Sequence, residues 1–121
     1  MAKRILVVDD DGMLRNLIPK MINSLGYSTY TASNGQEALD LIEQNGSLPD
    51  LVLTDYDMPK MDGPQLRQRL LENERTKAIP VLCMSGDISK ERRETVNADG
   101  YVQKPDVFIG LEPLLYHLLG E

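Results

Sequence analysis

Short apolar runs alternate along this chain with longer segments in which apolar residues recur at helical spacing. The runs predict five strands, at Arg4–Val8, Tyr27–Ala32, Leu51–Thr54, Ile79–Met84 and Gly100–Gln103. The first run is apolar at every position after its arginine, which is typical of a strand buried on both faces. Alternation of strands and helices predicts a parallel sheet covered by helices on both sides, with right-handed crossovers.

The helical segments carry their own start and stop signals. Gly26 can end the first helix, and Ser33 or Asn34 can cap the second. Pro19 lies inside the first helix, where it removes a backbone donor and should bend the helix axis. Pro113 suggests that the last helix starts late, near residue 111 or 112, and is therefore short.

The length and composition of the chain limit its function classes. Its 121 residues suit one domain, and we expect residues 1–121 to form a single core. A net charge of −6 argues against a nucleic-acid-binding surface, and no apolar stretch approaches the roughly 20 residues of a membrane span. The single cysteine, Cys83, lies in an apolar run, so we expect a buried thiol and a cytoplasmic protein.

Acidic, hydroxyl and amine side chains stand where four of the five apolar runs stop. Asp9–Asp11 follow the first run, Asp55 the third, Ser85 the fourth and Lys104 the fifth. The carboxyl ends of parallel strands meet at one edge of the sheet, which is where open α/β sheets bind ligands. Several carboxylates with one hydroxyl and one lysine at that edge indicate a site for a divalent cation and a phosphoryl group.

The carboxylates at this edge predict a metal ion. Two unit charges about 5 Å apart repel by roughly 3 kcal/mol at an effective dielectric constant of about 20, so a cluster of Asp9, Asp10, Asp55 and Asp57 needs a cation. Oxygen ligands without histidine or cysteine favour Mg²⁺ before Ca²⁺. Asp11, taken alone, is better explained as a cap of the first helix.

Asp55 ends the central strand, and we expect it to lie deepest in the site. A carboxylate in that position can attack phosphorus and form an aspartyl phosphate. The incoming group adds roughly two negative charges. Lys104 can supply a compact positive charge for them, and Ser85 can supply a hydroxyl donor.

Four motifs at the strand ends together identify a family. The motifs are Val7-Val8-Asp9-Asp10, Thr54-Asp55-Tyr56-Asp57-Met58-Pro59-Lys60-Met61-Asp62-Gly63, Val81-Leu82-Cys83-Met84-Ser85-Gly86 and Tyr101-Val102-Gln103-Lys104-Pro105. The acidic pair alone is a weak signal, whereas the Asp-x-x-Met-Pro-x-Met-Asp-Gly run is a strong one. Over essentially its full length the chain resembles the receiver domain of bacterial two-component response regulators, of the single-domain chemotaxis-regulator type.

The resemblance implies a fold and a set of roles for phosphoryl transfer. The fold is a flavodoxin-like (βα)5 three-layer sandwich, with a parallel five-stranded sheet in the order 2-1-3-4-5. The phosphoacceptor falls on Asp55, the phosphate-binding hydroxyl and lysine on Ser85 and Lys104, and the switch aromatic on Tyr101. Phosphorylation of Asp55 would move Ser85 and Tyr101 and so change a protein-interaction face.

The resemblance also implies a cofactor and partners. The metal ligands of the family fall on Asp10, Asp55 and the backbone carbonyl of Asp57, with Asp9 contacting Mg²⁺ through water. The phosphoryl donor would be a sensor histidine kinase or a histidine phosphotransfer protein, and the downstream protein stays open. Neither nucleic acid nor a membrane is an expected partner. The implied protein is a switch in a phosphorelay and not a metabolic enzyme, since it catalyses only its own phosphoryl transfer and dephosphorylation.

Three residues near the site are expected to tune the lifetime of the phosphoryl group. Asp57 lies two residues beyond Asp55, and Asp87 lies two beyond Ser85, so both carboxylates border the path of an attacking water. Either carboxylate can orient a water and speed hydrolysis, or repel a hydroxide-like nucleophile and slow it. Gly86 offers no shielding side chain, and we favour water orientation and a short-lived phosphoryl group.

Two other function classes remain open from the residues themselves. A small Mg²⁺-dependent phosphatase of the haloacid-dehalogenase type would use Asp55 and Asp57 as nucleophile and acid. Its acidic pair would follow the nucleophile, whereas Asp9 and Asp10 precede it here. A flavin- or dinucleotide-binding module would need a glycine-rich loop after a strand, and the chain has no Gly-x-Gly-x-x-Gly run.

Overall fold

The computed structural model of the chain describes residues 2–45, 48–104 and 107–120, so Pro105 of the last motif lies outside the described residues. Within them, five strands alternate with five helices. The strands are β1 (Arg4–Val8), β2 (Ser28–Ala32), β3 (Leu51–Asp55), β4 (Val81–Ser85) and β5 (Gly100–Gln103). The helices are α1 (Gly12–Ser24), α2 (Gly35–Asn45), α3 (Gly63–Leu71), α4 (Lys90–Val96) and α5 (Val107–Leu119).

The five strands form one parallel sheet in the order β2-β1-β3-β4-β5. This order confirms the predicted (βα)5 architecture. β1 pairs with β3 so that Val8 lies opposite Thr54, and the residues that come next are Asp9 and Asp55. The polar residues that follow the apolar runs therefore reach the same edge of the sheet, as the sequence predicts.

The central strands bury apolar side chains on both faces of the sheet. On one face, Ile5 and Val7 of β1 lie in a cluster with apolar residues of α1 and α5. On the other face, Leu6 and Val8 lie in a cluster with apolar residues of α2 and α3. These four side chains are fully buried. The uninterrupted apolar run of β1 follows from this, since neither face of the strand meets water.

The ends of α1 lie where the sequence predicts them. Asp11 is the N-cap, and its carboxylate accepts the N–H groups of Met13 and Leu14 at 2.9 and 3.3 Å. Gly26 follows the helix with a φ of 100°, a conformation that favours glycine. The helix continues through Pro19, whose side chain is buried.

Several strand boundaries differ from the predicted ones. β3 and β4 each extend by one residue, to Asp55 and Ser85, because their ladders continue up to the polar residue. β4 also begins two residues later than predicted, at Val81, and β2 begins one residue later, at Ser28. At the start of α2, Asn34 and not Ser33 acts as the cap, since its side-chain oxygen accepts the N–H of residue 37 at 2.9 Å.

The prediction of a short, late-starting last helix is wrong. α5 begins at Val107 and continues through Pro113 for 13 residues. Val107, Leu111 and Leu115 recur every four residues on one side of α5, and all three are buried. This packing outweighs the hydrogen bond that the proline cannot donate. No helix among the described residues is long and apolar enough to cross a bilayer.

The loop between β3 and α3 is packed closely against the end of β3. Asp62 and Gln65 form a reciprocal capping box at the start of α3. The N–H of Gly63 donates to the carbonyl of Tyr56 at 2.9 Å. A Cβ atom on Gly63 would lie only 2.6 Å from the carbonyl oxygen of Asp55, so this helix can rest on the strand only because position 63 has no side chain.

Candidate functional site

Three carboxylates meet at the carboxyl edge of the sheet. One oxygen from each of Asp9, Asp10 and Asp55 lies within 4.8 Å of the others. Asp9 follows β1 and Asp55 ends β3, and these two strands are neighbours, so the parallel register itself brings the carboxylates together. Asp10 is exposed, which opens the cluster to solvent on that side.

The donor set of this cluster suits a hard divalent cation. Among the described ion pairs, the ammonium of Lys104 is shared by Asp9 and Asp55 and none involves Asp10, so the cluster keeps an excess of negative charge. At a separation of 4.8 Å each carboxylate pair repels by roughly 3 kcal/mol when the effective dielectric constant is about 20. The cluster offers oxygen ligands, which bind Mg²⁺ or Ca²⁺ in preference to softer metals. The residues present therefore fit a magnesium ion.

Asp9, and not Asp55, lies deepest in the site. Asp9 is 0% exposed and Asp55 is 7% exposed, which corrects the expectation from sequence. The start of α1 covers Asp9, because the N–H of Asp11 donates to its carboxylate at 2.9 Å and Arg15 donates to its carbonyl at 2.8 Å. The second carboxylate oxygen lies 3.3 Å from Nζ of Lys104. Of the two buried carboxylates, Asp55 is thus the one that an incoming group can reach.

Lys104 joins the two buried carboxylates. Its Nζ lies 3.2 Å from Oδ2 of Asp55 and 3.3 Å from Oδ2 of Asp9. Burial alone would lower the pKa of Lys104, but the charges of Asp55 and Asp9 outweigh it and leave the pKa raised. Burial, assisted by the charge of Asp9, raises the pKa of Asp55 to about 6 despite the nearby lysine. A further positive charge beside Asp55 would favour its ionised, nucleophilic form.

Ser85 is buried at the end of β4, the strand next to β3. Its Oγ accepts the N–H of Asp87 at 3.1 Å, which leaves the hydroxyl proton available for donation to an anion. Its carbonyl accepts the N–H of Lys104 at 2.9 Å, so the hydroxyl and the lysine belong to adjacent, bonded segments. Gly86 is exposed, and a Cβ there would meet no described atom within 4 Å, so solvent can reach the main chain beside Ser85.

The hydroxyl of Tyr101 is bound to the end of α4. It donates to the carbonyl of Arg93 at 2.8 Å and accepts the N–H of Ala98 at 3.1 Å. Ser85 and Tyr101 both line one narrow crevice, which has no room for a water molecule. The ring of Tyr101 can turn inward only if other side chains that line the crevice move.

Sequence reasoning did not predict the contacts of Arg92, which joins α4 to the loop after β3. Nη2 of Arg92 lies 2.7 Å from Oδ2 of Asp57, and its guanidinium carbon lies 3.7 Å from the centroid of the Tyr56 ring. The carboxylate of Asp87 is also engaged, because it accepts the N–H of Ser89 at 2.9 Å. Both carboxylates predicted to tune the phosphoryl lifetime therefore already have partners.

One signal in the sequence could have pointed to Arg92. Val96 is buried in α4, and Arg92 lies one helical turn before it on the same side of the helix. The rest of α4 is strongly polar and gives no further indication of its orientation.

Cys83 is buried as predicted, and this burial, together with the charge of Asp55, raises the pKa of its thiol to about 12.

The sequence matches known signalling proteins. Residues 5–109 match the family described as the response regulator receiver domain. The chain is 31% identical over 108 residues to the polar-differentiation response regulator DivK of Brucella anthropi, with 87% of this chain and 86% of DivK covered. It is 30% identical over 104 residues to the sensor histidine kinase CheAY of Helicobacter pylori, with 84% of this chain and 13% of the kinase covered.

A solved structure with the same fold supports the match. A response regulator from Chloroflexus aurantiacus superposes with a TM-score of 0.90 at 31% sequence identity, and the alignment covers 100% of both chains. The chain spans 40% and 13% of the length of two curated relatives, so the activities of those longer proteins do not carry over to it. The chain belongs to the response regulator receiver domain family.

Proposed function

We propose that this chain is a phosphoryl-accepting receiver of a two-component or phosphorelay system, with residues 1–121 as one receiver domain and Asp55 as the phosphoacceptor. The observation that carries the proposal is the carboxylate cluster itself. One oxygen of Asp55 lies within 4.8 Å of oxygens of Asp9 and Asp10, and Oδ2 of Asp55 lies 3.2 Å from the amine of Lys104. This arrangement suits the transfer of an anionic group to a carboxylate better than it suits any reaction of a neutral substrate.

Asp55 acts as the nucleophile in this proposal. A carboxylate oxygen of Asp55 attacks the phosphorus of a phosphohistidine, the P–N bond breaks, and the imidazole leaves with the electron pair. In the later hydrolysis a water oxygen attacks phosphorus, the P–O bond to Asp55 breaks, and the carboxylate is restored. The chain is changed and then regenerated, so it works as a signalling switch and not as a metabolic enzyme.

Mg²⁺ is the proposed cofactor, held by Asp10, Asp55 and the backbone carbonyl of Asp57, with Asp9 reached through water. When bound, Mg²⁺ offsets the charge of the carboxylates and of the phosphoryl group. Lys104 supplies a second positive charge, because its amine already lies 3.2 Å from the acceptor carboxylate. The excess of negative charge in the cluster supports this cofactor.

Ser85 and Tyr101 form the proposed switch. The hydroxyl of Ser85 moves towards a phosphoryl oxygen, and this opens space in the crevice that both residues line. The ring of Tyr101 then turns inward and releases the carbonyl of Arg93, which its hydroxyl holds at 2.8 Å in this structure. The face formed by α4, β5 and α5 changes as a result, and a downstream protein recognises that face.

The phosphoryl donor is a sensor histidine kinase or a histidine phosphotransfer protein. CheAY, part of which is similar to this chain, is itself named a sensor histidine kinase, which supports a donor of that class. The net charge of −6 gives no support to a nucleic-acid partner. We place the exchange in the cytoplasm, where a lone thiol such as Cys83 stays reduced.

Phosphorylation on Asp55 is tested by mass spectrometry. Wild-type protein treated with acetyl phosphate and Mg²⁺ should gain one phosphoryl group, and Asp55→Asn should gain none because an amide is a poor nucleophile. Asp40→Asn, at an exposed position on α2, is the matched control and should label like the wild type. Full labelling of Asp55→Asn would remove Asp55 from the mechanism. Excess chelator should prevent labelling of the wild type, since the acidic cluster then repels the donor.

The same incubation separates the function classes. A receiver retains phosphate on itself, a phosphatase of the haloacid-dehalogenase type releases many equivalents, and a flavin- or dinucleotide-binding module does neither.

The switch has its own test by NMR. The signals of Tyr101 should shift when the wild type is phosphorylated, whereas Ser85→Ala should accept phosphate without that shift. Unchanged Tyr101 signals in phosphorylated wild type would contradict the proposed coupling.

A further inference from the structure

We propose that Arg92 is a positioning residue of the phosphorylation site: it holds the carboxylate of Asp57 against α4 and thereby protects the aspartyl phosphate on Asp55 from hydrolysis. The inference rests on the proposed function, because it concerns the lifetime of the group that Asp55 accepts. It adds to that function a residue that lies outside the four sequence motifs.

Two different contacts fix the guanidinium of Arg92. Its Nη2 atom lies 2.7 Å from Oδ2 of Asp57, and its Cζ atom lies 3.7 Å from the centroid of the Tyr56 ring. Only 25% of the Arg92 side chain is exposed, although α4 is a polar surface helix. A guanidinium held by both a ring face and a carboxylate keeps its direction better than one in an isolated surface ion pair.

A series of hydrogen bonds that begins at Ser85 positions Arg92 opposite this carboxylate. In each of them a side-chain oxygen accepts a main-chain N–H group. Oγ of Ser85 accepts the N–H of Asp87 at 3.1 Å. The carboxylate of Asp87 accepts the N–H of Ser89 at 2.9 Å, and Oγ of Ser89 accepts the N–H of Arg92 at 3.4 Å. Arg92 and Ser85 also line the same crevice. The start of α4, and with it Arg92, is therefore tied to the residue proposed to bind the phosphoryl group.

Asp57 is the carboxylate that this contact controls. Its side chain is 73% exposed, so solvent can reach it. A released Asp57 carboxylate accepts a hydrogen bond from a water and orients its oxygen towards phosphorus; the water oxygen attacks, the P–O bond to Asp55 breaks, and inorganic phosphate leaves. The pair with Arg92 occupies Oδ2 and holds the carboxylate against α4, so this oxygen is not available to orient the water.

The strength of the contact limits the size of the effect. Partly exposed ion pairs shift an equilibrium by up to about fivefold. Loss of Arg92 should therefore shorten the phosphoryl lifetime by about two- to fivefold, and no more than that. Asp57→Asn removes the carboxylate that Arg92 binds, and the identity of residue 92 should then no longer affect the lifetime.

The experiment compares dephosphorylation half-lives of the full chain after loading with acetyl phosphate and Mg²⁺. Arg92→Gln should shorten the half-life about two- to fivefold, whereas the Arg92→Gln/Asp57→Asn double variant should match Asp57→Asn. Arg92→Lys keeps the charge but loses the planar fork, so its half-life should lie between those of the wild type and Arg92→Gln. Arg75→Gln, which removes an exposed arginine far along the chain from the site, is the matched control and should keep the wild-type half-life.

The outcomes separate the inference from the proposed function. An unchanged or longer half-life in Arg92→Gln, with normal loading of the wild type, would overturn the role of Arg92 and leave phosphorylation of Asp55 standing. Equal shortening in the wild-type and Asp57→Asn backgrounds would also overturn it, because Arg92 would then act on the fold of α4. Absence of any phosphoryl gain in the wild type would overturn the proposed function itself. If Arg92→Gln does not fold, Arg92→Lys decides, and a half-life equal to that of the wild type refutes the inference.

Discussion

Gly63→Ala should destabilise the chain and disturb the proposed phosphorylation site at the same time. Gly63 begins α3 and rests on the main chain of Asp55 and Tyr56. An added Cβ would lie 2.6 Å from the carbonyl oxygen of Asp55 and 3.1 Å from Cα of Tyr56. Both atoms belong to the main chain, so no side chain can turn aside to make room. Either α3 or the end of β3 has to move by a few tenths of an ångström.

Overpacking of this kind costs about 1–3 kcal/mol. In a domain of 121 residues, one kcal/mol corresponds to roughly 3–6 °C in Tm, so Gly63→Ala should melt about 3–18 °C below the wild type. Melting followed by circular dichroism measures this difference. The rate of labelling by acetyl phosphate should fall as well, because the displacement changes the position of Asp55 relative to Asp10 and Lys104.

Gly110→Ala is the matched control for this prediction. Gly110 lies inside α5, and a Cβ there would approach a side-chain carbon of Val102 at 3.9 Å, which is ordinary contact. Alanine favours a helix interior over glycine by about 1 kcal/mol, so this variant should melt above the wild type. The same chemical change thus has opposite expected signs at the two positions. If Gly63→Ala melts at or above the wild-type temperature, the close packing of α3 on β3 does not hold Asp55 in place and the reasoning fails.

Three further results are expected. Mg²⁺ should raise the Tm of the wild type, because an ion that binds only the folded chain stabilises it, and Asp10→Ala should abolish most of this rise. If Asp10→Ala melts below the wild type in chelator, Asp10 stabilises the fold by other contacts. Cys83, with its pKa of about 12, should resist alkylation by iodoacetamide in the native chain and react fully in urea, and mass spectrometry distinguishes the two. Arg67→Ala should lower the free energy of unfolding by about 2–4 kcal/mol in a urea titration, because the buried Arg67 donates to the carbonyl of Asn97 and pairs with Asp99 at 3.3 Å.

The sheet and the carboxylate cluster could be predicted because both follow from local patterns. Once the apolar runs are recognised as parallel strands, Asp9 and Asp55 must reach the same edge. The strand order comes from the family resemblance that the four motifs carry. The depth of Asp9 could not be predicted in this way. It depends on how the start of α1 folds over the end of β1, where Asp11 and Arg15 donate hydrogen bonds to Asp9. No sequence pattern predicts these hydrogen bonds.

The start of α5 and the partners of Arg92 could not be predicted from the sequence patterns either. Pro113 is a local signal against a helix, and burial of Val107 and Leu111 in the core overrides it. Arg92 lies in a polar helix with one buried anchor, so its direction is decided by Tyr56 and the carboxylate that it meets in the folded chain. In both cases contacts between distant segments outweigh local propensity.

The unequal exposure of Asp9 and Asp10 has a consequence for ion exchange. Asp9 is fully enclosed, while its neighbour Asp10 faces solvent. A magnesium ion held at the cluster would keep several waters, as this ion usually does in proteins. No part of the described chain would then have to open before the ion leaves, so we expect ligand replacement at the ion to limit its exchange. The fraction of molecules ready to accept a phosphoryl group would follow the concentration of free magnesium around them.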